Sequence, residues 1–268
     1  MKIVSLRYIF ICSLFIFQAY HSLFGQTVVS AHAQFLVPLD VVSKADIGNA
    51  LGASMGLYFV STKHDQWNVG AEIAASQFKS QSIIYLNDLV LFRNALIIDD
   101  LPASIRGDES HAFYTLMPKV KFYPSQNGIQ FFVGAGGGVA IMHSKMILND
   151  ISLNEWYITN NKNYINRQVT KNNFSFVSSF DIGVNVDVSP NLILFLQTGV
   201  MYTGALDFFD SENNSTWKLD FKAPKYDRDD ILPATIELVD PQLPLTQRNL
   251  FLYNINFGIQ FLLDSKSK

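Results

Sequence analysis

The stretch Asn249–Leu263, NLFLYNINFGIQFLL, constrains the fold of this chain more than any other. Every second residue belongs to one set: Phe251, Tyr253, Ile255, Phe257, Ile259, Phe261 and Leu263. The alternate set is Leu250, Leu252, Asn254, Asn256, Gly258, Gln260 and Leu262. Side chains of a strand alternate between its two faces, so this is a strand with one apolar, aromatic-rich face and one mixed face. Its length exceeds the usual 3–10 residues of a globular strand and covers the roughly 9–11 residues that a tilted strand needs to cross a bilayer. The pattern predicts a closed sheet whose outer face meets lipid, with this strand sealing it.

The beginning of the chain reads as a targeting segment. Lys2 and Arg7 form a positive region, Tyr8 to Phe17 is apolar, and small residues end at Gly25. We expect cleavage there, leaving residues 26–268 as one barrel domain. Ala31-His32-Ala33 also fits a small-residue cleavage pattern, but it lies too far past the apolar region and inside the first predicted strand. The apolar region is too short for a spanning helix, and no later apolar run reaches the length of one. Cys12, the only cysteine, lies in the targeting segment and follows Ile11, so the mature chain is expected to hold no disulfide and no cysteine metal site. Removing Lys2 and Arg7 takes the formal charge from −3 to −5, which gives no electrostatic basis for nucleic-acid binding.

Seven more strands precede the last. The alternation predicts them over 27–39, 49–60, 67–78, 110–123, 129–144, 172–188 and 192–204. The sixth is the clearest after the last: Phe174, Phe176, Phe180, Ile182, Val184, Val186 and Val188 face out, and Asn173, Ser175, Ser179, Asp181, Gly183, Asn185 and Asp187 face in. The connections after strands two, four and six are short, marked by residues 62–66, 124–128 and 189–191. Those after strands one, three, five and seven are longer: 40–48, 79–109, 145–171 and 205–247. Short turns on one side and long loops on the other are the pattern of an outer-membrane barrel, turns facing the periplasm and loops facing outside. The inward face carries Glu72, Lys119, Lys121, Asp181 and Asp187. We expect Glu72, Lys119, Lys121 and Asp181 to form a paired charge network in the lumen, because such charges are costly against lipid. Pro118 sits mid-strand without a ladder donor, so a local bulge is expected there.

One hairpin carries a resemblance. Phe113-Tyr114-Thr115-Leu116-Met117-Pro118-Lys119-Val120-Lys121-Phe122-Tyr123-Pro124, followed by Phe131-Phe132-Val133-Gly134-Ala135-Gly136-Gly137-Gly138, resembles the outer-membrane-protein β-barrel domain family of Gram-negative bacteria. The resemblance implies a small barrel in the outer membrane, and for some members a part in secreting surface proteins.

Candidate chemistry is thin. Gly134-Ala135-Gly136-Gly137-Gly138 could cradle a phosphate only if a helix followed, and apolar strand continues instead; inward glycines that make room across a small lumen are the plainer reading. His143 and Ser144, with Asp150 beyond, evoke a lipid hydrolase, but adjacent strand residues point to opposite faces. His32 and His111 are single inward histidines without partners at metal-ligand spacing. Tyr226-Asp227-Arg228-Asp229-Asp230, with Glu237 and Asp240, is acidic but lacks the glycine-spaced pattern of a calcium loop. Ser82–Leu101 is too apolar for an ordinary exposed loop; it fits a strand extension above the membrane, a short helix over the mouth, or a partner-docking surface.

The sequence therefore predicts an all-β fold, an eight-stranded antiparallel transmembrane barrel in the outer membrane. It is expected to be non-enzymatic, with no catalytic residue, cofactor or metal, and to meet outer-membrane lipid and a surface protein or secretion component through its loops. An accessory subunit of a secretion machine is the second expectation, and a lipid-modifying barrel enzyme the third. Converging Ser, His and Asp or Glu side chains near a rim would favour the third. The segment Ala205–Gln247, acidic and holding Pro224, Pro233, Pro241 and Pro244, is expected to lack strand and project from the surface.

Overall fold

In a computed structural model, residues 24–39, 47–61, 66–79, 81–93, 96–124, 129–150, 166–209, 218–222, 237–243 and 245–263 are described. The elements are β1 (Phe24–Pro38), β2 (Ala50–Ser61), β3 (Trp67–Phe78), β4 (Gln81–Arg93), β5 (Leu96–Phe122), β6 (Gln130–Asp150), β7 (Asn166–Ser189), β8 (Leu192–Phe209), β9 (Lys218–Lys222), β10 (Glu237–Gln242) and β11 (Leu245–Leu263). No helix among the described residues is long and apolar enough to cross a membrane.

Eight strands form the ring. β1, β2 and β3 pair in succession, β3 pairs with β5, β5 to β8 follow in order, β8 pairs with β11, and β11 returns to β1. Every pairing is antiparallel. The closing seam runs from Thr27 opposite Leu263 to Pro38 opposite Leu252, so no strand of the ring keeps an open edge.

The alternation in the sequence sets the faces. On β11, Phe251, Ile255, Phe257, Phe261 and Leu263 are exposed, while Leu250, Leu252, Asn254, Asn256 and Gln260 are buried. On β7, Phe174 is 74% exposed and Asp181 fully buried. Exposed large apolar side chains encircle the ring, among them Leu51, Ile73, Leu116, Phe131, Phe176, Phe180 and Leu196. A continuous apolar girdle of this kind has no place in water and fits the hydrocarbon of a bilayer. Trp67 and Phe122, with ring centroids 4.7 Å apart, mark its edge at the short-turn end.

Three features depart from the expected plan. The first is Pro118, where no bulge forms. β5 keeps its register with β3 through Ala71↔Pro118, and with β6 the register is the same on both sides of a gap between Leu116↔Val139 and Lys119↔Gly136. Gly137 and Gly138 face that gap. A Cβ on Gly138 would collide with the Leu116 carbonyl oxygen, so the glycine lets the two backbones close up without an inserted residue.

Secondly, the strands outrun the predicted bounds on the long-loop side. β6 continues to Asp150, β7 starts at Asn166 and β8 reaches Phe209. The segment 79–109 is largely strand as well: β4 pairs with β5 from Gln81↔Glu109 to Arg93↔Leu96, which is the strand-extension reading of that segment. β5, with 27 residues, pairs first with β4 and then, from Ala112, with β3. At roughly 3.3 Å per residue it is about twice as long as a bilayer crossing requires.

Thirdly, the segment 205–247 contains a hairpin, β9 with β10, from Glu237↔Lys222 to Gln242↔Lys218. Residues 226–230 lie outside the described residues.

The interior changes character along its axis. Toward the long-loop end it is an apolar core of Leu36, Phe78, Phe113, Met142, Val177, Leu206 and Phe208, among others. Ile47 closes this core from the β1–β2 connection, next to Gly48, whose positive φ of 62° is a conformation that favours glycine. Toward the short turns the interior is polar.

Candidate functional site

The polar half of the lumen is built from inward positions of β1, β2, β3, β5, β7 and β11. β5 supplies Lys119 and Lys121, two residues apart and therefore on one face. β3 supplies Glu72, β7 supplies Asp181, and the ring brings all four together. Lys119 Nζ lies 3.1 Å from Glu72 Oε1 and 3.1 Å from Asp181 Oδ2, donating to both. Tyr58 on β2 donates its hydroxyl to Glu72 Oε2 at 2.9 Å. Asn254 on β11 donates to Asp181 Oδ1 at 3.0 Å, and His32 Nε2 on β1 stands 3.8 Å from Glu72 Oε1. One ammonium, that of Lys119, thus bridges two carboxylates, each of which has a neutral donor besides; the expected pairing does not extend to Lys121.

Lys121 is held differently. Its ammonium makes no hydrogen bond; it sits 4.5 Å from the centre of the Tyr58 ring, 4.9 Å from Phe132 and 5.4 Å from Phe195. Aromatic faces attract a cation, and a desolvated contact contributes up to about 2 kcal/mol. Small residues make the room. A Cβ on Gly136 would come within 2.6 Å of Lys119 Cγ, so Gly136, like Gly138, serves packing, whereas Gly134 and Gly137 have ordinary room for a side chain. The sequence named the four charges but not Tyr58, Asn254 or the three rings that complete the cluster. Tyr58, Phe132, Phe195 and Asn254 all sit in inward phase, which was their only signal.

An exterior of lipid-facing apolar side chains around a buried, internally paired polar interior decides the architecture. The chain is a transmembrane β-barrel of the small outer-membrane type. With eight strands the lumen of such a barrel is just filled by side chains. Here Glu72, Lys119, Lys121 and Asp181 are each no more than 2% exposed, so they form a plug rather than the lining of a channel.

A second polar group lies nearer the long-loop end of the barrel. His111 on β5 stands opposite Ser144 on β6 in the register, with His111 Nδ1 2.9 Å from Ser144 Oγ. His111 Nε2 is 3.0 Å from Glu109 Oε1, and all three side chains are buried. The Phe208 ring packs edge-on against His111, with centroids 5.4 Å apart. The sequence pairing of His143 with Ser144 does not occur: His143 points the other way, 2.6 Å from Asn172 Oδ1. The Ser144 contact depends on cross-strand register, and Glu109 lies in what reads as an insertion. Among the described residues no three His, Cys, Asp or Glu side chains form a metal-holding group.

No family model matches the chain, and no curated protein matches it. Solved structures give fold-level likenesses. A major outer membrane protein from Thermus thermophilus is 11% identical, with a TM-score of 0.43 over 89% of this chain and 98% of that one. Ail, the attachment invasion locus protein of Yersinia pestis, is 9% identical, with a TM-score of 0.35 over 89% and 97%. The outer membrane protease OmpT from Escherichia coli is 6% identical, with a TM-score of 0.38 over 89% and 97%. None of these likenesses carries a function to this barrel.

Proposed function

We propose that the protein is a non-enzymatic outer-membrane barrel that recognises a surface or secretion partner through the segments above the membrane. The observation that carries this reading is the β4–β5 arm. β4 ends the order of strands, pairing with β5 alone, and among the described residues nothing pairs with its other edge, where an extended strand could add. The plugged lumen supports the same reading, because it leaves the exterior segments as the place for recognition. Expression of a chain with 83–104 replaced by a short Gly/Ser linker tests it. The variant should keep a heat-modifiable band in the outer-membrane fraction and lose any partner recovered in mild detergent. A retained partner would overturn the arm. The segment 212–241 gives a parallel test: its replacement should leave the folded band intact, since closure entropy grows slowly with loop length. Loss of that band would show that this segment packs into the barrel.

A second reading, a lipid-modifying enzyme, is favoured by Ser144, His111 and Glu109. A serine, a base and a carboxylate in contact are the parts of an activated nucleophile, although Glu109 Oε1 accepts no hydrogen bond from His111 in this arrangement. Against it, all three are buried beneath Phe208, and Ser144 is fully enclosed. Labelling of the folded barrel by a fluorophosphonate, lost in Ser144→Ala, would establish this reading. Absence of labelling would remove it.

A further inference from the structure

The short-turn end of the lumen holds a feature that neither the charge network nor the arm uses. The barrel opens there into a cavity of about 510 Å³. That volume is within the roughly 300–1,000 Å³ of small-molecule sites. Side-chain amides dominate its polar wall: Asn68 from β3, Gln130 from β6, Asn185 from β7 and Gln260 from β11. Tyr123, just past β5, adds a phenol held among Asn68, Asn185 and Gln260. Val28, Val60 and Ile193 supply apolar wall between them.

These amides are built into the fold. Asn68, Asn185 and Gln260 are 8%, 2% and 2% exposed. Asn185 donates to Gln260 Oε1 at 3.4 Å, yet the side-chain oxygens of both Asn68 and Asn185 have no partner in the protein. A buried acceptor without a donor costs about 1–3 kcal/mol, so the wall is poised to receive donors from whatever fills the cavity.

The charges narrow the occupant. Among the described residues, Asp187 is the only charged one in the lining. The nearest interior cation, Lys121, lies behind the Phe132 ring, which packs against Tyr123 with centroids 5.4 Å apart. Among the described side chains an anion would therefore meet a carboxylate and no cation, the terminal amino group that cleavage before Gln26 would create at the rim aside. A neutral ligand that donates and accepts at several points, with small apolar faces, matches amides that do both and valines between them. Hydroxyl and acetamido groups on a sugar ring have that chemistry. In this orientation of the barrel, the cavity faces the periplasm.

We propose that the short-turn cavity binds a neutral N-acetylated glycan segment, held by Asn68, Asn185, Gln260 and Tyr123. The site is separate from the arm, and its failure would leave the surface reading untouched. The test uses the full barrel refolded in detergent, titrated with a β-1,4-linked N-acetylglucosamine tetramer and, separately, sedimented with purified cell-wall sacculi. Maltotetraose serves as the unacetylated comparison. Saturable binding of the acetylated tetramer, weakened roughly tenfold or more in Asn185→Leu with the folded band retained, is expected. Binding to sacculi as well assigns the ligand to a cell-wall strand, and binding of the tetramer alone assigns it to free oligosaccharide. Gln26→Ala, at the half-buried rim of the cavity, provides a second variant should Asn185→Leu fail to fold, and it should weaken binding too. No saturable binding, equal binding of maltotetraose, or full binding by folded cavity variants would each overturn the proposal.

Discussion

Near the short turns, Lys119 and Asp181 point into the barrel while Val120 and Phe180 face outward; near the long loops, Met146 and Phe208 point inward while Lys145 and Asp207 face outward. The same ring of strands has opposite insides at its two ends. The difference follows from what lies outside. Lipid around the lower half removes the hydrophobic drive to bury apolar side chains, so its interior is held by ion pairs and hydrogen bonds. At the far long-loop end, where Lys145 and Asp207 face outward, water restores that drive and Met146, Leu148, Leu206 and Phe208 pack inward, continuing an apolar core that already begins with Met142 and Val177 at the level of the outward Phe174 and Phe176. β8 shows how the phase is reversed within one strand. Its register with β11 shifts between Asn249↔Ala205 and Phe251↔Tyr202. The extra residue at Thr203 and Gly204 turns Leu206 and Phe208 inward. Thr203 Oγ1 fills the break by accepting from the Leu250 amide at 3.0 Å and donating to the Gly204 carbonyl at 2.9 Å.

Four comparisons, built on Asp181, Met142, Phe257 and Lys145, can break or sharpen this contrast. Asp181→Ala should have the largest effect. It strips Lys119 of one carboxylate and Asn254 of its acceptor, and breaking a buried pair costs about 3–5 kcal/mol. Urea titration in lipid vesicles, followed by the gel shift of the folded band, measures it. The double variant Asp181→Leu with Lys119→Met should not recover the loss, because Lys119 also holds Glu72 and its removal leaves that carboxylate buried without its ammonium; full recovery would mean that Lys121 takes over Glu72.

Met142→Ala probes the upper core, where it opens a cavity and should cost about 2–5 kcal/mol in the same titration. A cost below that of an exposed-site change would show that the upper interior is not packed as described.

Phe257→Arg, on the lipid face, should cost about 2–4 kcal/mol near the bilayer midplane, whereas Asn256→Ala on the inward face should be milder. Equal costs would undo the assignment of faces. The smallest effect belongs to Lys145→Ala, outward and above the girdle, within about 0.5 kcal/mol of the parent protein. A large loss there would place the upper half inside the bilayer.

Much of this plan is legible in the chain itself. The eight ring strands and the faces of Phe257 and Asn256, or of Phe180 and Asp181, follow from a period of two that needs no neighbour to define it. Glu72, Lys119, Lys121 and Asp181 could be placed inside because they occupy polar phase. Their partners could not, because contacts across a lumen depend on the stagger of all the strands. The upper extensions of β6, β7 and β8 look like loops in the sequence for a related reason. Above the membrane the apolar phase moves to the other face, so Met146 and Leu148 break the pattern that Phe131 and Val133 set. The hairpin β9–β10 is short and flanked by prolines, and its alternation spans too few residues to stand out.

The seam between β1 and β11 governs how the molecule must be made. Thr27 and Leu263 sit side by side in the finished ring but are separated by nearly the whole polypeptide. Pairings so distant in sequence are slow to form. Until the last strand arrives, β1 presents an unpaired edge and every strand displays an apolar face to water. The seam thus makes the chain a kinetic hostage to its own C-terminal strand: a ribosome that stops before Asn249 delivers an open, adhesive sheet rather than a smaller barrel. Protection of that sheet until the seam closes is therefore as much a requirement of this sequence as any contact within the completed ring.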